Sequence, residues 1–139
     1  MNDPYNLQRF VDAQNPAYAD VRAELRAGRK TSHWMWFIFP QIAGLGRSPM
    51  AIQFAISSLE EAAAYLNHPL LGSRLSECIE LVILVEGRSI QQILGSPDDI
   101  KFRSCMTLFA RATAENQLFL RALQKYFNSQ FDPLTLGRL

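Results

Sequence analysis

The sequence predicts an all-α fold, a single compact domain of about seven or eight short helices over residues 1–139. Apolar residues recur every three or four positions through most of the chain, which is the spacing of helices with one buried face. No stretch shows the sustained alternation of apolar and polar residues that indicates a strand, and the hairpin dipeptides Asn-Gly and Asp-Gly are absent. A chain of 139 residues that is 48% hydrophobic is long enough to form one sizeable core.

The first two helices are predicted from apolar spacing and from the residues at their ends. Residues 5–14 form an amphipathic segment with an apolar face made by Leu7, Phe10 and Val11. Asn15 and Pro16 then suit the N-cap and first position of a second helix. Gly28 is placed to end that helix.

Residues 31–40 contain both tryptophans and two phenylalanines, and they should form the centre of the core. We expect a helix of about two turns, capped by Thr31 or Ser32 and ending before Pro40. A buried strand is the alternative, because periodicity does not distinguish the two in a short apolar run.

The middle of the chain carries clear helix-start signals. After a glycine-containing loop over residues 42–48, Ser48 and Pro49 should begin a helix that extends to Ile56. Ser58 and Glu61 form a capping box for a helix over 59–67. His68 and Pro69 precede the longest apolar helix, which Gly87 ends and whose apolar positions are Leu71, Leu75, Cys78, Ile79, Val82 and Ile83.

The C-terminal third predicts three helices and a closing turn. A short helix over 89–94 ends at Gly95, and residues 96–99 supply a cap and two first-turn acids for a helix that extends to about Ala112. The apolar positions of that helix include Ile100, Phe102, Met106 and Phe109. A helix over 115–127 follows, and Asp132 with Pro133 caps the last turn.

Composition excludes several functional classes. The net charge of +1 argues against strong binding to nucleic acid, and no apolar run approaches the roughly 20 residues of a membrane span. The N-terminus lacks the features of a signal peptide, so we expect a cytoplasmic protein whose Cys78 and Cys105 are reduced core thiols. Two histidines and two cysteines without zinc-ligand spacing predict no metal site, and no cofactor is predicted.

The first candidate site surrounds the aromatic segment. Lys30 and His33 are three residues apart, so on a helix a cation and a titratable imidazole would converge on one ligand, with Gln41 at the other edge. Trp34 and Trp36 are candidates to stack on a base. In the alternative interpretation, His33 bonds a backbone carbonyl and Lys30 is a solvated cation near a helix end.

The second candidate site is the loop Gly44-Leu45-Gly46-Arg47-Ser48, which leads into a helix N-terminus. Free backbone N–H groups, the helix start and the Arg47 guanidinium together would suit a phosphate or carboxylate. The loop lacks the spacing and lysine of a Walker A motif, and an ordinary turn between helices is the alternative.

Two further segments hold polar residues that a core does not require. His68 is either functional or a turn and cap residue before Pro69. Lys101, Ser104 and Thr107 are spaced by three, so they form a polar stripe that either lines a pocket or faces water.

The chain resembles the domain-of-unknown-function family numbered 1810, whose members are sometimes labelled calpastatin. The matching segments cover nearly the whole chain, and they are 7–10, 13–14, 30–41, 44–48, 64–69, 71–72, 98–104 and 107–109. The resemblance implies a small all-α domain and carries no established activity. The calpastatin label does not fit, because calpain inhibitors of that kind are disordered and this composition is globular. A likeness to all-α domains that act on ADP-ribose derivatives points to a ligand class, although fold alone does not determine function.

Two functional hypotheses follow. The first is a pocket for an anionic, nucleotide-derived small molecule, with Lys30, Arg47 and Lys101 as cations and His33 as acid or base if the ligand is hydrolysed. This hypothesis predicts that the three cations and His33 converge in one concave pocket. The alternative is a non-catalytic protein-interaction module that uses an exposed aromatic and arginine patch.

Overall fold

A computed structural model of the chain describes residues 2–139 and folds them into ten α-helices, with no β-strand in this range. The helices are α1 (Gln8–Gln14), α2 (Tyr18–Arg26), α3 (Met35–Ile38), α4 (Pro49–Gln53), α5 (Leu59–Asn67), α6 (Leu71–Leu84), α7 (Ile90–Leu94), α8 (Asp98–Ala112), α9 (Gln117–Phe127) and α10 (Pro133–Leu136). The predicted all-α class is confirmed. The helix number is slightly larger than the predicted seven or eight, and the predicted closing turn is itself a helix of four residues, α10.

Helix α8 makes extensive contacts with four of the other helices. Helices α5, α7, α9 and α10 all contact it, and every residue from Ser104 to Ala110 is buried. The Phe102 ring meets the Phe39 ring edge-on, with centroids 4.9 Å apart. Further along the helix, Phe109 lies 5.3 Å from Tyr65 of α5. Over Ser104–Ala110 the helix is buried on all sides, and five of these seven residues are apolar. Ile100 is the exception among the predicted apolar positions of this helix, because the structure leaves it exposed.

The aromatic segment forms one helical turn, α3, rather than the predicted two turns or a strand. Thr31 and Ser32 do not cap it, and its N-cap Trp34 makes no capping side-chain hydrogen bond. Instead, Glu24 of α2 accepts the backbone N–H groups of Thr31 and Ser32 at 2.7 and 3.0 Å. These two residues therefore belong to the α2–α3 connection, which the Glu24 carboxylate holds in place from seven and eight residues earlier in the chain. The prediction that this segment lies in the core is confirmed by its buried residues, which are Trp34, Met35, Phe37, Ile38 and Phe39.

The predicted start of the second helix is wrong. Asn15 has helical backbone angles and continues α1, and its N–H donates to Val11 O at 3.0 Å. An N-cap requires a non-helical conformation, typically an extended one, so Asn15 cannot serve as one here. Helix α2 begins at Tyr18 without a side-chain cap. The predicted end is confirmed, since Gly28 follows α2 with a φ of +73°, a left-handed conformation that glycine adopts at little cost.

Other helix starts are confirmed by their hydrogen bonds. Ser48 accepts from Ala51 N–H at 3.2 Å, and Ser58 accepts from Glu61 N–H at 3.1 Å. The predicted capping box is half formed, because the Glu61 carboxylate turns instead to the Ser57 N–H at 2.9 Å. At α8 the predicted cap is wrong, because the N-cap is Pro97 and no side chain caps the helix.

Arg9 of α1 connects this helix to the segment that includes Gln53, Ala55 and Glu61. Its guanidinium donates to four backbone carbonyls, those of Tyr5, Asn6, Gln53 and Ala55, at 2.6–2.9 Å. It also forms an ion pair with Glu61 at 3.0 Å. The planar guanidinium donates to all these acceptors at once, which a lysine ammonium could not do. None of the helices formed by residues 2–139 is long and apolar enough to cross a membrane.

Candidate functional site

A cleft lies where the loop of residues 41–46 faces the N-terminal half of α8. It consists of two adjoining depressions that share Gln41, Gly46 and Lys101. The inner depression is also lined by Trp36 and has a volume of about 10 Å³, which is at most the room that one water needs. The outer depression has a volume of about 170 Å³. We call the two together the α8 cleft, and only the outer part has space for a ligand group.

A shared carboxylate holds the two lysines at the cleft. Asp98 Oδ2 lies 2.9 Å from Lys30 Nζ, and its Oδ1 lies 3.7 Å from Lys101 Nζ. Each ammonium also faces a different indole, since Lys30 Nζ is 5.1 Å from the Trp34 ring and Lys101 Nζ is 5.7 Å from the Trp36 ring. The Lys30 side chain is 9% exposed, whereas that of Lys101 is 26% exposed. One carboxylate cannot neutralise two ammonium groups, so the more distant and more exposed Lys101 remains available to an anion.

Asp132 is a buried carboxylate in the outer depression. Its Oδ2 accepts two hydroxyl hydrogen bonds, from Ser104 and from Thr135, both at 2.6 Å. Burial acts to raise the pKa of Asp132, but these hydroxyls together with the N–H groups of Leu134 and Thr135 lower it below its usual value. The carboxyl is therefore ionised at neutral pH, and it accepts hydrogen bonds without donating any.

The glycine loop contains unpaired backbone donors and lies against an arginine that is distant along the chain. Among residues 2–139, nothing accepts a hydrogen bond from the backbone N–H groups of residues 44–47. Gly44 has a φ of +97°, and the Arg138 guanidinium lies so close to it that a Cβ at this position would collide with the guanidinium. Arg138 was not a predicted site residue, since no signal in the sequence relates the C-terminus to this loop.

Of the predicted site residues, the cleft brings together six, which are Trp36, Gln41, Gly44, Gly46, Lys101 and Ser104. Lys30 borders the cleft through its ion pair with Asp98. Asp98 and Asp132 appeared in the sequence only as helix-cap residues, and their role at the cleft depends on partners that are distant along the chain.

Trp34 and Thr107 have no free face for a ligand. Trp34 is buried, and its Nε1–H donates to Glu24 at 3.0 Å. Thr107 is also buried; its hydroxyl donates to Arg103 O at 2.9 Å and accepts from Asp132 N–H at 2.9 Å. The polar stripe of α8 thus divides into two cleft residues and one core residue.

The remaining predicted residues lie away from the cleft. His33 and Arg47 are exposed and line neither depression. Ser48 caps α4. His68 Nδ1 accepts hydrogen bonds from the N–H groups of Leu70 and Leu71, two and three residues further along the chain, at 3.1 and 3.2 Å. The predicted convergence of three cations and His33 in one pocket is therefore wrong, because only the two lysines meet.

The described residues offer neither a metal centre nor a reactive thiol at the cleft. No group of three or more His, Cys, Asp and Glu side chains within residues 2–139 is arranged to hold a metal ion. Both cysteines are free and buried, as expected. Burial raises the pKa of Cys78 to about 12 and that of Cys105 well above its usual value, so neither thiol is a nucleophile at neutral pH.

Comparisons with known proteins give a family and a fold. The model of a family described as "Protein of unknown function (DUF1810)" matches residues 4–139. The chain is similar to a solved structure described as the conserved hypothetical protein Rv1873 from Mycobacterium tuberculosis, with 59% sequence identity and a TM-score of 0.98. The match covers 99% of this chain and 98% of that one. No curated protein matches the chain.

Proposed function

The chain belongs to the DUF1810 family, whose function is unknown, and we propose that it binds a small anionic, nucleotide-derived molecule in the α8 cleft. The observation that carries the proposal is the sharing of Asp98 by Lys30 and Lys101. Asp132 is the second carboxylate of the cleft, and Arg138 lies beside Gly44 of the adjoining loop as a third cation near the two lysines. An anion placed against Lys101 would pair with the ammonium group that Asp98 holds less closely.

The glycine loop and Trp36 supply the other contacts of such a ligand. The unpaired N–H groups of residues 44–47 are donors that phosphate oxygens accept readily. Trp36 lines the inner depression, which is too small for a base, and its partly exposed indole would stack on a base that lies outside this depression. Complete ligand pockets have volumes of roughly 300–1,000 Å³. The outer depression is smaller than this, so part of the ligand enters it and the rest lies along the surface.

The proposal is for binding and does not extend to hydrolysis. His33, the candidate acid or base, lines neither depression. Lys30, the other candidate catalytic residue, is held by Asp98 at 2.9 Å. General acid–base chemistry requires a group within hydrogen-bond reach of the reacting atom, and neither residue is placed to reach a ligand in the cleft.

A thermal-shift titration tests the proposal. The compounds are ADP-ribose, NAD, mononucleotides, sugar phosphates and inorganic phosphate, and the proteins are wild type, Lys101→Gln and Arg47→Gln. A ligand at a hundredfold excess over its Kd stabilises the native state by about 2.7 kcal/mol, which corresponds to a shift of several degrees. We expect Lys101→Gln to weaken binding about tenfold or more, and Arg47→Gln, an exposed cation away from the cleft, to leave it unchanged. If none of these compounds shifts the wild type, the proposal is wrong.

A second candidate function, a non-catalytic protein-interaction module, is favoured by the rim of the same cleft. Ile100 and Leu134 are large apolar residues that line the outer depression and are 58% and 71% exposed. The predicted aromatic and arginine patch is reduced to a partly exposed Trp36 and an exposed Arg47. This candidate predicts a partner protein that co-purifies with the wild type and is lost from an Ile100→Ser/Leu134→Ser double variant. If the same proteins co-purify with both, the rim is not an interaction surface.

We also propose a cytoplasmic location. The two free cysteines support it, since reducing compartments preserve thiols. Cell fractionation tests this assignment, and recovery in an exported fraction would contradict it.

A further inference from the structure

We infer that the outer depression takes a phosphorylated, hydroxyl-bearing sugar, with the phosphate against Lys101 and a sugar hydroxyl donating to Asp132. This inference rests on the proposed function and names the part of the ligand that enters the protein. Its basis is that the Lys101 ammonium and the Asp132 carboxylate, a hydrogen-bond acceptor, line the same depression of about 170 Å³.

The two oxygens of the Asp132 carboxylate are unequally occupied, and Oδ1 accepts less from the protein than Oδ2 does. Its Oδ2 receives both hydroxyls, from Ser104 and Thr135, whereas its Oδ1 receives the Leu134 N–H at a longer distance of 3.3 Å, and the Thr135 N–H is the other backbone donor to this carboxylate. The residue is 6% exposed, and no lysine or arginine among residues 2–139 forms an ion pair with it. A buried carboxylate oxygen with spare lone pairs favours a ligand that brings a donor. A hydroxyl satisfies this requirement without adding charge.

The cation and the acceptor are separated by about one helical turn. Lys101 and Ser104 are three residues apart on α8, so they share a face and differ by about 4.5 Å along the helix axis. Ser104 Oγ lies 2.6 Å from Asp132 Oδ2, which places the carboxylate beside the second of these positions. A phosphate and a hydroxyl a few bonds apart on one small sugar can span this distance.

Charge decides the orientation of the ligand. A phosphate next to Asp132 would place two anions together in a partly buried site, which is unfavourable. The phosphate therefore faces Lys101, and the uncharged hydroxyls face Asp132. The exposed side chains of Ile100 and Leu134 border the same depression and can cover the C–H face of the sugar. Inorganic phosphate satisfies only the first of these contacts, so it should bind more weakly than a sugar phosphate.

The central comparison in the test is between glycerol 3-phosphate and propyl phosphate, which share a three-carbon chain and differ in their hydroxyls. Binding of glycerol 3-phosphate, propyl phosphate, ribose 5-phosphate and inorganic phosphate to the wild-type protein is measured by isothermal titration calorimetry at one ionic strength. We expect the two hydroxyl-bearing phosphates to bind about tenfold more tightly than propyl phosphate, because one hydrogen bond to a charged acceptor is gained. In Asp132→Asn this preference should decrease. Asparagine is also a good N-cap residue, so α10 should be retained.

Two other outcomes have different meanings. Equal affinities for glycerol 3-phosphate and propyl phosphate, with both bound in a Lys101-dependent manner, would overturn this inference and leave the proposed function standing. If none of these phosphates, ADP-ribose or NAD binds, the proposed function itself fails. Because the ligand pair is compared on the wild-type protein, the result does not depend on whether the Asp132 variant folds.

Discussion

Replacing Glu24 should loosen the aromatic segment more than the position of this residue on α2 suggests. The Glu24 carboxylate accepts the Thr31 N–H at 2.7 Å, the Ser32 N–H at 3.0 Å and the Trp34 Nε1–H at 3.0 Å, and it also contacts the Ser32 hydroxyl. These bonds take the place of the cap that α3 lacks. Glu24→Ala removes all of them at once.

The loss of stability in Glu24→Ala can be estimated from whether each N–H group that loses its acceptor can bind water instead. Thr31 and Ser32 are exposed, so their N–H groups regain water and each loss is small. The Trp34 indole is buried, and an unsatisfied buried donor costs about 1–3 kcal/mol. We therefore expect Glu24→Ala to lower the free energy of unfolding by about 2–4 kcal/mol. Glu24→Gln, which keeps one acceptor oxygen and loses the charge, should cost about half as much.

The same carboxylate should make stability depend on pH in acid. Burial acts to raise the pKa of Glu24, but hydrogen bonds from Ser32, Thr31 and Trp34 lower it from 4.5 to about 2. Because the folded pKa lies below the unfolded one, this contribution is complete above pH 4.5 and is lost as the pH falls towards 2. After a discount for partial exposure it amounts to about 1–2 kcal/mol. The difference between wild type and Glu24→Gln should narrow over this range.

Urea denaturation followed by circular dichroism measures these effects, with m-values compared to confirm two-state unfolding. Glu80→Ala is the matched control, since Glu80 is an exposed acid on α6 and should change stability by less than about 0.5 kcal/mol. If Glu24→Ala is as mild as this control, the hydrogen bonds from Glu24 do not hold the aromatic segment. A gap between wild type and Glu24→Gln that is constant from pH 6 to pH 2 would refute the pKa argument.

Three further predictions concern the core. Arg9→Lys should lower the free energy of unfolding by about 2–3 kcal/mol because lysine cannot reach the carbonyls that the guanidinium joins, whereas the exposed Arg121→Lys should be neutral in the same urea titration. Gly72→Ala should cost about 1–3 kcal/mol, since its Cβ would collide with the Leu66 carbonyl oxygen; wild-type stability would contradict this close approach. Acrylamide should quench only the fluorescence that comes from Trp36, because the other tryptophan is buried, and a single fully accessible population would contradict the structure.

Local patterns were sufficient to predict the features that depend on neighbours within a few residues. The caps at Ser48, Ser58 and Asp132 are bonds to backbone groups two or three positions away, so a local pattern is sufficient to predict them. The helical ends at Gly28 and Gly95 follow from positive φ angles, which few other residues adopt. Helical periodicity likewise predicted the all-α class, since it reports which face of each segment is buried.

The identity of the side chains that meet at the cleft depends on the packing of the helices. Sequence patterns suggested that Lys30 and Lys101 converge with Arg47 and His33, but packing of α8 beside the aromatic segment brought only the two lysines together, against Asp98. Folding left His33 exposed outside the cleft. Arg138 came to the glycine loop through the position of α10 on α8. Hydrogen bonds and ion pairs act over a few ångströms, and residues distant along the chain reach that range only after the core has packed.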